Sequence, residues 1–99
     1  MVIKIQSIHF DATEKLQAFI EKKAAKLEKS CDELSTLEFQ LKVEKPQTAV
    51  NKTVALSASL PGQKIFVEKT CDTFEEAVDL TIDAMKVQLQ KFKEKMRNY

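Results

Sequence analysis

Residues 36–71 read TLEFQLKVEKPQTAVNKTVALSASLPGQKIFVEKTC, and their rhythm decides the fold. In 36–44, Leu37, Phe39, Leu41 and Val43 alternate with Glu38, Gln40, Lys42 and Glu44. Successive strand side chains point to opposite faces, so this is a half-buried strand with one wet face. The alternation resumes in 52–60, where Val54, Leu56, Ala58 and Leu60 point inward. Lys45–Asn51, containing Pro46, reads as the loop between them. Pro61-Gly62 is a tight turn that uses the chain's only glycine, and 64–71 forms the third strand of an antiparallel meander.

Outward from the meander, each side adds structure. Val2–Ile8 is short and β-branched, which suits a strand. Phe10-Asp11-Ala12-Thr13 breaks it; Asp11 or Thr13 can cap a helix whose first residue, Glu14, suits its positive end. That helix runs over 14–29. At 100° per residue it has an apolar stripe (Leu16, Ile20, Ala24, Leu27), a lysine stripe (Lys15, Lys22, Lys26, Lys29) and an acidic one (Glu14, Glu21, Glu28). Phe19 and Lys23 lie on the border of the first two. Phe19 there is a half-buried lid on the core more than a platform for stacking a base. After the meander, Thr73 caps a long helix to about 97, with Glu76 completing a Thr-x-x-Glu capping box. Its apolar stripe is Phe74, Val78, Ile82, Met85, Leu89, Phe92 and Met96.

The order is therefore β-α-β-β-β-α. The first crossover should be right-handed and make strands one and two parallel. One wet sheet face and one apolar stripe per helix predict an α+β two-layer sandwich: a four-stranded mixed sheet with both helices on one face. Ninety-nine residues suit a single domain spanning 1–99.

Composition narrows the function. With 43% hydrophobic and 31% charged residues the chain reads as a soluble cytoplasmic protein, with no signal peptide and no membrane partner. Cys31 and Cys71 lack metal-ligand spacing, and His9 has no evident catalytic partner. One glycine cannot build a phosphate-binding loop. No cofactor, metal, small-molecule substrate or catalytic residue is expected.

The charge is polarised. The window 15–29 holds Lys15, Lys22, Lys23, Lys26 and Lys29 against two acids; the window 86–97 holds Lys86, Lys91, Lys93, Lys95 and Arg97 against Glu94 alone. Together they carry +7, although the whole chain carries only +1. A polyanion within a Debye length of ~8–10 Å feels the patch and not the total. Five bases over three turns also exceed what the helix dipole needs. RNA or DNA is the partner this distribution favours. The acidic first half of the last helix and its apolar flank, Leu80, Ala84 and Val87, support a second reading: a small protein-interaction module, or a self-association face.

Three stretches resemble the ribosome hibernation promoting factors, or ribosome-associated translation inhibitors, of the sigma-54 modulation protein family. They are Phe10-Asp11-Ala12-Thr13; Lys23-Ala24-Ala25-Lys26-Leu27-Glu28-Lys29; and, in the last helix, Ala77-Val78-Asp79, Asp83, Gln88-Leu89, Lys91, Lys93, Glu94 and Lys95. The resemblance implies the same β-α-β-β-β-α fold, similar in layout to double-stranded RNA-binding domains, which read RNA by shape and backbone. It implies binding to the small ribosomal subunit, in the messenger RNA and transfer RNA channel, and inhibition of translation in starved or stationary cells. Carried onto this chain, it makes Lys23, Lys26, Lys29, Lys91, Lys93 and Lys95 ribosomal RNA contacts; Lys22, Lys86 and Arg97 join them on charge and position. Ala84, Val87 and Gln90 stand where many members carry Lys, Arg and Arg; Lys86 stands where many carry an acid, and Glu75 where a Tyr is frequent. The chain resembles the short form, without the C-terminal dimerisation domain of long members, and so implies a monomer.

Overall fold

In the computed structural model, residues 2–8, 11–43 and 50–97 are described, with residues 96 and 97 described for their backbone only. The expectations at His9, Phe10, Glu44 and Pro46, and those for the side chains of Met96 and Arg97, lie outside the described residues. The elements are β1 (Val2–Ile8), α1 (Glu14–Ser30), β2 (Thr36–Val43), β3 (Lys52–Leu60), β4 (Gln63–Cys71) and α2 (Phe74–Arg97). The sheet order is β1-β2-β3-β4. β1 pairs parallel with β2, and the other two pairings are antiparallel.

Local chemistry sets the boundaries. Thr13 caps α1: its hydroxyl accepts from the Leu16 amide at 3.1 Å. Thr73 caps α2 through the Glu76 amide at 3.2 Å. Leu60 pairs with Gln63, so Pro61 and Gly62 form a two-residue hairpin loop. Proline holds φ near −65°, and Gly62 supplies the positive φ of +75°, the pattern of a type II turn.

One core fills the space between sheet and helices. Ile20, Ala24 and Leu27 of α1, Leu37, Phe39 and Leu41 of β2, Val54, Leu56 and Ala58 of β3, and Val78 and Met85 of α2 are all fully buried. Burial of this kind contributes about 1.5–3 kcal/mol for each large apolar side chain. Val43 departs from the expected inward set: it is 38% exposed, because it sits in the last rung of the β2–β3 ladder, opposite Lys52. The wet face is also drier than alternation implies. Thr53 and Ala55 are buried there, and the Thr53 and Thr70 hydroxyls hydrogen-bond at 2.8 Å. The longer cross-strand neighbours Lys42, Gln40 and Glu68 flank these two small residues.

Candidate nucleic-acid interface

The helices share one face of the sheet and run in the same direction. Lys23 of α1 meets Asp79 of α2, and further along both helices in the same sense Ser30 meets Lys93. The direction follows from the topology: each helix returns antiparallel to the strand before it, and β1 and β4 point the same way. Both helix C-termini, and with them the basic windows apart from Lys15 in the first turn of α1, therefore lie toward one end of the molecule. Glu75, Glu76 and Asp79 sit near the opposite end, where α2 begins.

At the basic end an open groove of about 340 Å³ runs between the helices, lined by Ser30, Lys86, Leu89, Gln90, Lys93 and Glu94. Leu89 is 1% exposed and forms an apolar floor. Lys26 and Lys29 stand on the α1 shoulder above the groove, and Lys22 one turn earlier. All three are exposed, as is Lys86 across from them. At 100° per residue, these α1 lysines lie about 40–120° round from Lys23 and Ser30, the positions that touch α2.

The nine bases expected at this site fall into three groups. Lys22, Lys26, Lys29, Lys86, Lys91 and Lys95 are exposed, with no ion pair among the described residues. Lys23 and Lys93 are engaged by partners within the protein, Lys23 half-buried and Lys93 exposed. The Lys23 ammonium lies 3.1 Å from Asp79 Oδ1 and 5.4 Å from the centroid of the Phe19 ring, and its side chain is only 26% exposed. Lys93 Nζ donates to the Ser30 carbonyl at 2.8 Å, satisfying an orphan acceptor at the negative end of α1. Arg97 is helical, and its side chain lies outside the description. Lys91 and Lys95 project from the side of α2 away from α1, so the second window is split: part lines the groove and part faces outward.

Charge counting alone missed the partners that remove lysines from the patch. Asp79 and the Ser30 carbonyl do so, and only knowledge of which helix flanks meet reveals them. Phe19 is a partly buried lid packed on the core, with Lys23 across its ring. The cysteines are not reactive groups of this interface. Burial raises both thiols above the ordinary value, and the Cys31 thiol donates to Glu33 Oε2 at 3.3 Å.

A family model described as Sigma 54 modulation protein / S30EA ribosomal protein matches residues 3–97. The ribosome hibernation promoting factor of Pseudomonas putida is 28% identical over 98 residues, covering 99% of this chain and 92% of that protein. Its namesake from Azotobacter vinelandii is 27% identical over 95 residues, covering 96% and 85%. A ribosomal subunit interface protein from Coxiella burnetii superposes with a TM-score of 0.83 at 26% identity, covering 95% of this chain and 99% of that one. The Protein Y N-terminal domain of Thermus thermophilus shares the fold, with a TM-score of 0.79 at 22% identity over 93% of this chain and 99% of that one. The matched residues span all six elements of the sandwich and both basic windows, and the chain belongs to the Sigma 54 modulation protein / S30EA ribosomal protein family.

Proposed function

We propose that this protein is a ribosome-associated hibernation factor. One copy lays its two-helix face on ribosomal RNA of the small subunit, in the channel used by messenger RNA and transfer RNA, and so blocks translation in starved or stationary cells. Family membership and the names of the relatives support the association with ribosomes. The observation that carries the rest is the parallel packing of α1 and α2, which joins two separate basic windows at one end. An A-form RNA helix presents phosphates and 2′-hydroxyls across a wide, shallow minor groove, so such a helix is read by shape and charge. A rigid pair of helices with exposed lysines along their shoulders has both. The cytoplasm is the compartment this partner dictates.

Lys22, Lys26, Lys29, Lys86, Lys91 and Lys95 are the phosphate contacts in this reading, and Arg97 joins them on charge and sequence position alone. Lys23 and Lys93 orient the helices. Inhibition is by occupancy: an occupied channel cannot hold messenger or transfer RNA, and no chemical step is needed. Chemical footprinting of ribosomal RNA tests the reading. Protection should fall on small-subunit RNA lining the channel and vanish for Lys26→Glu/Lys29→Glu, a variant that stays folded by circular dichroism. Protection confined to the large subunit, or unchanged by that variant, would overturn it.

A further inference from the structure

The groove between the helices is not uniformly basic. Lys86 and Lys93 line it as cations, but Gln90 is neutral and Glu94 is an acid, the only one in the window 86–97. Both are exposed, and neither makes a hydrogen bond or an ion pair among the described residues. The groove residue one turn before Glu94 is Gln90, which gives it no cation to pair with. A surface that held phosphates alone would gain nothing from a carboxylate at this place, because like charges repel.

Position along α2 orders these groups. At 1.5 Å per residue, Leu89 lies about 4.5 Å beyond Lys86, Gln90 about 6 Å and Glu94 about 12 Å. Cationic Lys86 therefore comes first, with Lys26 and Lys29 on the opposite shoulder. The apolar floor of Leu89 comes next, and the polar pair Gln90 and Glu94 last. Residues four apart on a helix are neighbours, so an amide stands beside a carboxylate. Lys93 is fixed at the same end by donating to the Ser30 carbonyl at 2.8 Å, and its ammonium keeps two further N–H donors.

Cation, apolar floor and polar end match the phosphate, the flat face and the edge of one nucleotide. The polar end also selects the base. A carboxylate only accepts, and its two oxygens suit two adjacent N–H groups. Guanine alone among the four RNA bases has them on its Watson–Crick edge, N1–H and the N2 amino group, with the O6 acceptor alongside. The Gln90 amide and the Lys93 ammonium supply donors for O6. Adenine and cytosine set a ring acceptor beside one amino group, and uracil sets its N–H between two carbonyls. Each of these turns a lone pair toward the Glu94 carboxylate.

We propose that the groove is a guanine-selective site for one unpaired nucleotide of an RNA strand, with Glu94 and Gln90 as the residues that read the base. Its volume of about 340 Å³ falls in the range of small-ligand clefts, ~300–1,000 Å³. Six exposed lysines are more than one phosphate needs, so the nucleotide belongs to a strand. The proposal rests on the reading of this end as an RNA-binding face. It adds a sequence preference to a surface that otherwise reads shape and charge, since bases splayed out of a single strand are read on their edges.

Fluorescence anisotropy of labelled uridine heptamers, each with a central guanosine, adenosine, cytidine or uridine, tests it at ~50 mM salt. The guanosine strand should bind about 5-fold or more tighter than the other three. Inosine in its place, which lacks the N2 amino group, should lose most of that gain. Glu94→Gln, folded by circular dichroism, should remove the preference yet leave binding of the all-uridine strand equal or tighter, because an acid has left a basic groove. Lys26→Glu/Lys29→Glu should weaken all four strands alike. Four strands bound equally by the native chain overturn the proposal and leave the RNA-binding reading standing. So does a guanosine preference that survives Glu94→Gln. Free GMP that displaces the guanosine strand at equal concentration overturns the assignment to a strand. If no strand binds even at this salt, the RNA-binding reading fails and takes the proposal with it.

Discussion

Two single substitutions on α1, Lys23→Gln and Lys26→Gln, should behave oppositely. Lys26 is exposed and unpaired among the described residues; removing it deletes one contact that releases a counterion. The slope of log affinity against log salt should become shallower by ~0.7–0.9. With all six exposed lysines engaged, the native slope is about −4 to −5, a loss of about 10³ in affinity between ~50 and ~200 mM salt. Lys23 sits 3.1 Å from Asp79 and over the Phe19 ring, so it has little to give to a phosphate. Lys23→Gln should leave the slope in place and lower stability instead. A half-exposed ion pair contributes at most ~1 kcal/mol, and a cation over a ring at this distance contributes ~0.5–1 kcal/mol. A net loss of about 1 kcal/mol lowers the melting temperature by about 4–8 °C in a domain of this size. The assay is binding of labelled protein to small subunits at four salt concentrations, paired with thermal melts. If Lys23→Gln flattens the slope as much as Lys26→Gln does, the assignment of Lys23 to the helix interface is wrong.

Three further outcomes follow from the packing. Gly62→Ala should destabilise by about 1–2 kcal/mol through the left-handed backbone alone, since an added Cβ meets nothing within 4 Å; the urea midpoint should fall with the m-value unchanged. Leu27→Ala should cost about 2–5 kcal/mol in the same assay, because the side chain is fully buried between helix and sheet. Burial raises the Cys31 and Cys71 thiols in the folded state, so the stability tied to these protonated thiols is present at neutral pH. It declines as pH climbs past the ordinary thiol range; titrating stability toward alkaline pH should show the fall, and its absence in a Cys31→Ala/Cys71→Ala variant identifies the source.

The fold was legible because periodicity carries most of it. The 3.6-residue stripe in α1 named its buried set, Leu16, Ile20, Ala24 and Leu27, and the two threonine caps marked both helix starts. Strand alternation worked wherever one sheet face meets the helices, and failed at Val43, where the ladder ends. It was silent on Thr53 and Ala55, since cover by longer cross-strand neighbours is not a property of a single strand. The candidate site was half legible. Two basic windows are visible in the chain, but which lysines remain free depends on the flanks along which α1 and α2 meet. That contact joins residues 56 and 63 positions apart, Lys23 with Asp79 and Ser30 with Lys93, and no local pattern encodes it. The substitutions at Ala84, Val87 and Gln90 acquire different meanings in the same way. Gln90 lines the groove, whereas half-buried Ala84 and exposed Val87 are not among the residues that line it.

In this reading the merged basic end of the two-helix face binds ribosomes. Sucrose-gradient sedimentation of the purified protein with ribosomes, at low and at raised salt, tests it most directly. Comigration with small subunits and whole ribosomes is expected, weakening steeply as salt rises and lost for folded Lys26→Glu/Lys29→Glu. Protein that stays at the top of the gradient at low salt, or comigration that neither salt nor the double substitution disturbs, would contradict it.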